Sequence, residues 1–499
     1  MKAARIFQDH MVLQRGKEVQ VWGSGTEGEQ ITVSFFGHSR SAAVEHGGWK
    51  VTLPPMEAHR GGVMTISGPE GSVELQNVAV GEVWLAGGQS NMEFQMLFDM
   101  HYEEELAACE CPDIRFFDYP EVSYDGQEKD FDYSRMGFWR PCGPEHLKYF
   151  SAVAYYTAKK LYEEMDVPIG IVGCNWGGTT ASCWMDEDSL KKHGQVWIED
   201  YENGLKRIPD LERYKAEFRK DPANSRGLPF DDAFTMLVMP GLTKEAQLEL
   251  ASTLPKGDAR PAAGPYSPNR PCALYHSMLT HTAPYTIRGV LWYQGESDDP
   301  HYDIYQDVLQ DLIECWRALW KEELPFLLVQ LAPMESFLGT ERPHFSDIRE
   351  AQAKCAGTLP QVWLASASDA GMRYDIHPKD KKPIGERLAL LAQGHVYGQE
   401  LLCDAPEFDR AERTGNRVRI HFRNAGGGLV VKGDSVHENL FLVNGMEIDP
   451  KKVRAEGSRV ELELETSAPC RIAFAKRGYY EVNLYNSAGL PALPFETEV

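Results

Sequence analysis

The sequence predicts an α/β fold: a parallel sheet of about five strands with helices on both faces, flanked by β-rich modules at the N- and C-terminal ends. Three observations carry this. Five short apolar runs, Val78–Ala86, Pro168–Cys174, Ile287–Tyr293, Phe326–Leu331 and Val362–Ser366, have the length and composition of buried strands. Amphipathic helix patterns lie between several of them. Outside this stretch, before residue 78 and after about 405, the pattern turns to alternation and turn residues, as in antiparallel β structure.

Residues 1–77 form the first module, read as a small β-sandwich. Glu18 to Trp22 and Gln30 to Phe36 alternate, and Trp49 to Leu53 follows a Gly47-Gly48 turn. Gly23 to Gly28 matches G-x-G-x-x-G, but no helix pattern follows, so it is not a dinucleotide site. Residues 78–404 form the α/β module. Helix patterns cover Ser151–Met165, Tyr302–Trp320 and Pro383–Val396; in the second, Ile304, Val308, Leu312, Trp316 and Leu319 share one face. Residues about 195–270 interrupt the rhythm with a charged helical stretch, Glu199 to Lys220, and a Pro/Gly-rich segment, Leu254 to Pro271. So long an excursion either shapes a site, packs on a neighbour or hangs as a solvated appendage. Residues 405–499 form the last module, with strands at Arg417–Phe422, Arg459–Leu464 and Arg471–Lys476 and a turn at Gly426–Gly428.

The 499 residues carry 51 basic and 74 acidic side chains, a net charge of −23. That argues against nucleic acid and anionic membranes, which need a basic surface. A neutral substrate fits most easily; an anionic sugar requires a pocket whose local field differs from the global one. No uncharged apolar run reaches the ~18 residues of a membrane span. The N-terminus has no apolar signal region, the ten cysteines follow no framework spacing and there is no N-x-[ST] sequon. Reduced thiols and a cytoplasmic location are the expectation; oligomerisation is left open. No H-E-x-x-H, C-x-x-C or Walker loop is present, so neither a metal nor a nucleotide cofactor is expected.

Four strand ends carry the candidate chemistry, because ligands of open α/β sheets bind past the carboxyl ends of the strands. After Val78–Ala86 come Gly87-Gly88-Gln89-Ser90, which put Ser90 where a helix begins, beside backbone N–H groups able to stabilise an oxyanion. The α/β-hydrolase elbow G-x-S-x-G is not matched, since Met92 stands where its second glycine belongs. Gly177-Gly178 exposes further N–H groups. Trp292-Tyr293-Gln294-Gly295-Glu296 offers an amide donor, a carboxylate and aromatic walls. Asp375-Ile376-His377 places a carboxylate two residues from an imidazole, roughly 6.5 Å at Cα in an extended segment, so Asp375 can fix the tautomer of a base at His377.

G-Q-S-N-M, W-G-G-T, W-Y-Q-G-E-S-D and D-I-H-P, in this order, resemble the SGNH hydrolase superfamily and, within it, the sialate O-acetylesterases. F-Q-D-H-M-V-L-Q-R near the start and N-L-Y-N-S-A-G-L-P-A near the end extend the resemblance along nearly the whole chain. It implies a flavodoxin-like sheet and a metal-independent serine esterase acting on an O-acetylated sugar through an acetyl-enzyme. The implied substrate is a sialate 9-O-acetyl ester, with acetylated xylan or xylo-oligosaccharide as the alternative. Ser90 would be the nucleophile and His377 the base. The Ser90 N–H, the Gly178 N–H in preference to that of Gly177, and the Gln294 amide would form the oxyanion hole. The superfamily's D-x-x-H is altered here: Tyr374 takes the acid's place and Asp375 stands one residue closer, which leaves Glu296 a rival third triad member. The flanking β modules also suit a different class of protein, a non-catalytic carbohydrate binder with a relict site.

Overall fold

The structure, a computed structural model, describes residues 1–129, 131–218, 239, 241–253, 264–465 and 467–499. The chain divides into two compact units. The first comprises Met1–Pro240, Pro255–Trp292 and Gln310–Phe326, the second Gly241–Leu254, Tyr293–Leu309 and Leu327–Val499.

The first unit opens with two small antiparallel sheets. One orders Lys2–Ala3, Val19–Ser24 and Gly48–Leu53; the other orders His38–Ala43, Gln30–Phe35, Met64–Gly68 and Gly71–Leu75. Alternation is explicit in Gln30–Phe35, where Ile31, Val33 and Phe35 are buried. Gly23 lies inside a strand, and Gly28 is a turn residue at φ +80° with a strand after it.

Then come the strands that position the chemistry: β1 (Val12–Gln14), β2 (Ala79–Gly88), β3 (Cys111–Asp118), β4 (Trp139–Cys142), β5 (Ile169–Asn175) and β6 (Gly289–Tyr293), in the order β4-β3-β5-β2-β6, with β1 also on β2. β1 and β5 run parallel to β2, β3 runs parallel to β5, and β4 runs antiparallel to β3. Every residue of β2 and β5 is buried, which is why both read as mostly apolar runs. Glu82 is the exception within β2. Its carboxylate accepts from Arg288 Nε at 2.7 Å, Arg15 Nε at 2.5 Å and Gln14 Nε2 at 3.0 Å. Burial opposes that charge, but these partners hold its pKa below the usual carboxylate range.

All five expected strands are present, and β1, β3 and β4 join those of the first unit. β3 escapes a hydrophobicity reading because it opens C-P-D and carries Arg115. That arginine is buried and donates to the backbone oxygens of Arg60, His10 and Asn77, so it satisfies main chain inside the fold.

Two of the helices of this unit bear on the site: α1 (Ser90–Glu93) and α2 (Ala152–Met165), the latter packed on β5 and β3. Ser151 caps α2 by accepting from Ala154 N–H at 3.2 Å, and its hydroxyl donates to Met92 O at 2.6 Å. One side chain thus starts α2 and anchors α1. The expected interruption begins with helices at Gln195–Leu205 and Leu211–Phe218. Tyr214 and Phe218 from the second pack with Tyr124 and Tyr266, so this part is a packed element rather than a solvated appendage. Most of the expected Pro/Gly-rich segment, residues 254–263, lies outside the described residues.

In the second unit β7 (Phe326–Val329) and β8 (Val362–Ala365) are neighbours, and α3 (Phe345–Thr358) and α4 (Lys382–Leu391) pack on β8. The C-terminal β-rich module holds two four-stranded antiparallel sheets. One orders Glu407–Thr414, Arg417–Arg423, Arg459–Glu463 and Val453–Glu456; the other orders Met446–Glu447, Phe441–Val443, Arg471–Phe474 and Phe495–Glu498. Their common core includes Val418, Ile420, Leu440, Val460, Leu462, Ile472 and Phe474. Among the described residues no helix is long and apolar enough to cross a membrane.

Candidate active site

Ser90 owes its place to Gly88, whose φ of +134° lies in the region that favours glycine. The chain turns there out of β2. Gln89 is the extended N-cap residue of α1, and half-buried Ser90 is the first helical residue. The amides of Met92 and Glu93 are the first to close back, onto Gln89 O at 2.8 and 3.0 Å. The Ser90 and Asn91 amides therefore precede the helical ladder.

Pairing of β2 with β5 sets the second part. Asn175 stands opposite Gly88, Trp176 N–H donates to Gly88 O at 3.1 Å, and Asn175 Nδ2 donates to Ala86 O at 3.1 Å. The Trp176-Gly177-Gly178 turn thus leaves β5 level with the turn that carries Ser90. Gly177 N–H donates to Glu93 Oε2 at 2.6 Å. Gly178 sits exposed at φ +76°. Of the two glycine amides, that of Gly177 is engaged in holding the turn to α1, and that of Gly178 is the candidate oxyanion donor.

Glu93 is a residue the sequence reading passed over, although it closes the same G-Q-S-N-M-E stretch. It also lines a small polar cavity of ≈10 Å³ with Asp118, Gln95, Ser151 and Asn175, room for about one water. Burial pushes the Asp118 carboxyl up to about 7; Arg140 opposes the shift and the Glu93 charge adds to it.

The second unit holds the other candidates. Gln294, buried, follows β6. Its amide N–H donates to Asp298, and its side-chain oxygen accepts from Tyr305 Oη at 3.1 Å. Its backbone oxygen receives Tyr305 Oη at 3.1 Å and Gln352 Nε2 at 3.0 Å. This network fixes the amide's orientation and directs one of its N–H bonds to a carboxylate. Glu296, itself buried, opens a 3₁₀ turn, Glu296–His301, directly after Gly295 at φ +139°.

Asp375 and His377 are both buried and lie close together, the carboxylate bonded to the His377 backbone and not to its ring. Asp375 Oδ1 accepts His377 N–H at 2.9 Å and lies 3.7 Å from Nδ1. Lys379 Nζ stands 3.0 Å from Asp375 Oδ2. Burial works against the Asp375 charge, yet His377 and Lys379 hold its pKa below the usual range. Burial drives the His377 pKa down to about 4; Asp375 opposes this, and Lys379 and Lys381 add to it. His377 is therefore neutral near pH 7, as a general base must be. Phe337 stands edge-on to its ring, centroids 5.5 Å apart.

The residues after 240 reach this loop. A Cβ on Gly241 would meet Lys379 at 2.8 Å and Asp375 at 3.4 Å, and Lys244 Nζ lies 4.3 Å from the Tyr374 ring centroid. This part of the expected interruption packs against the Asp375–His377 loop. Sequence spacing gave no sign of it, nor of a role for Lys379 and Lys381.

The match to known proteins is consistent along the chain. The model of a family described as carbohydrate esterase, sialic acid-specific acetylesterase, matches residues 265–392, a span that contains Gln294, Glu296, Asp375 and His377. The sialate O-acetylesterase of Mus musculus is 26% identical over 436 residues, covering 80% of this chain and 74% of that protein; the Homo sapiens one is 24% identical, covering 80% and 72%. The crystal structure of a carbohydrate acetylesterase from Xanthomonas citri superimposes with a TM-score of 0.76 at 28% identity, covering 99% of each chain. Over most of its length the chain is similar to sialate O-acetylesterases and to a carbohydrate acetylesterase. It is a carboxylic ester hydrolase with the α/β architecture expected of it.

Proposed function

We propose that the chain is a sialate O-acetylesterase, releasing acetate from an O-acetylated sialic acid, the 9-O-acetyl ester in particular, through an acetyl-enzyme. Ser90 attacks the acetyl carbonyl while His377 takes its proton. The oxyanion is met by the Ser90 and Gly178 N–H groups and by the Gln294 amide. The proton on His377 passes to the departing sugar oxygen. Water, deprotonated by His377, then frees acetate and Ser90. The observation that carries this reading is the level ending of β2 and β5, which delivers a serine at the start of a helix beside a glycine turn tied to that helix by Glu93.

The choice of sugar is supported by the names of the curated relatives. Acetate release from O-acetylated sialic acid and from acetylated xylan, compared at equal ester concentration, tests it. Preference for the sialic acid is expected, and preference for xylan would overturn the assignment.

Two further outcomes are expected. Gln294→Ala should lower kcat by roughly 10² to 10³ with KM little changed, because an oxyanion donor acts only as charge develops. A change confined to KM would make Gln294 a substrate-binding residue. In the pH profile, kcat/KM should stay level from neutrality to about pH 5 and fall as pH drops through about 4, where His377 gains its proton. An acid limb near the ordinary histidine value of about 6.5 would contradict this environment for the base.

A further inference from the structure

After α4 the helix continues into a π turn, Ala392–Val396, closed by Tyr397 N–H onto Ala392 O at 2.9 Å. Such wide turns re-aim side chains and recur at functional sites. Here the turn presents His395 to Cys403 and Asp404, on the segment leading into the C-terminal sheets. His395 Nε2 lies 2.9 and 3.0 Å from the Asp404 carboxylate oxygens and 3.4 Å from Cys403 Sγ; Cys403 Sγ lies 3.7 Å from Asp404 Oδ2. None of the three belongs to the esterase chemistry.

The geometry points to a site for a divalent transition-metal ion, zinc, held by His395 Nε2, the Cys403 thiolate and an Asp404 carboxylate oxygen. Zinc bonds nitrogen and oxygen at about 2.0 Å and thiolate sulfur at about 2.3 Å, so a tetrahedral site has ligand-to-ligand edges of roughly 3.3–3.6 Å. The three observed edges need to move by only a few tenths of an ångström to fit. The donor set, one thiolate, one imidazole and one carboxylate, suits zinc and leaves the fourth position to water.

Three features shape the cluster beyond a simple ion pair. Gly394 admits the sulfur: a Cβ at that position would meet Cys403 Sγ at 2.4 Å. Trp363 stacks on His395 with centroids 4.6 Å apart and planes at 10°, which fixes the ring. Asn486 Nδ2 donates to Asp404 O at 3.0 Å and to Asn424 O at 2.9 Å, which fixes the backbone that carries the carboxylate. A His395–Asp404 pair alone requires neither the nearby sulfur nor the glycine that admits it. The histidine and aspartate are only partly buried, so an ion has access from solvent. The incoming ion displaces the thiol proton to solvent, its own charge stabilising the thiolate. The spacing H-x₇-C-D matches none of the usual zinc motifs, which is why the sequence signals no metal here.

The test uses the full chain, stripped with EDTA and titrated with Co²⁺ and then Zn²⁺. One equivalent of Co²⁺ should bind and produce a near-ultraviolet sulfur-to-cobalt charge-transfer band, which Zn²⁺ abolishes. Cys403→Ser should lose the band, while Cys111→Ser keeps it. Asp404→Asn, which preserves shape and needs no change at the sulfur, should bind at least tenfold more weakly. Absence of saturable one-to-one binding, a band that survives in Cys403→Ser, or unchanged affinity in Asp404→Asn would overturn the site.

Discussion

Ser90→Ala is expected to fold normally and to lose nearly all acetate release. Loss of a serine nucleophile costs on the order of 10⁶ in kcat, because the residual rate comes only from oxyanion binding and substrate positioning. The change is mild for the fold. The side chain at the N-cap position of α1 is Gln89, no side-chain hydrogen bond caps the helix, and α1 is anchored through Ser151 and Glu93 instead. Circular dichroism and the melting temperature should match the parent within error. A fluorophosphonate should label the parent at Ser90 and fail to label the variant. Near-native turnover by Ser90→Ala would remove the nucleophile assignment, and with it the roles proposed for Gly178 and Gln294. A general loss of structure in the variant would instead show that Ser90 supports the turn after β2.

Much of this was legible before any coordinates. The five central strands are apolar runs ended by glycine, proline or polar turns, and burial on both faces produces that pattern. The nearness of Asp375 to His377 was legible too, because two residues of chain fix their separation, although the carboxylate bonds the His377 backbone N–H and stands 3.7 Å from Nδ1. Less visible were features that depend on long-range packing. β3 carries a buried arginine whose partners, Arg60, His10 and Asn77, are distant in sequence, so its charge disguised a strand. Glu93 is an ordinary helix residue until β5 brings the Gly177 amide to it. Gln294 read as an amide donor at a strand end; that one of its N–H bonds meets Asp298 depends on how a 3₁₀ turn folds back. Lys379 carries no signal of its own in the sequence, and only burial beside Asp375 makes it an influence on His377.

Asp375→Asn is expected to cut kcat by about 10⁴, and Glu296→Gln by much less. The carboxylate of a triad holds the imidazole in the productive tautomer and stabilises the imidazolium, and its neutral amide does neither. Asp375 is prepared for that role: the His377 N–H and Lys379 fix its two oxygens, and its charge is retained. The 3.7 Å from Oδ1 to Nδ1 is longer than a hydrogen bond, so the bond must tighten as His377 becomes charged. Asparagine keeps the shape but weakens the pairing with Lys379, so a second cause of lost activity has to be separated. Lys379→Met does this. It removes the same ion pair while leaving the Asp375 carboxylate, and by taking a positive charge away from His377 it should move the acid limb of kcat/KM upward. If Lys379→Met loses as much kcat as Asp375→Asn, the ion pair and not the carboxylate on Nδ1 is what matters. If Glu296→Gln is the more damaging of the two carboxylate changes, Glu296 orients His377 and Asp375 serves to neutralise Lys379. The Nδ1 proton resonance of His377 distinguishes these cases directly, since it should shift in Asp375→Asn and stay in place in Glu296→Gln.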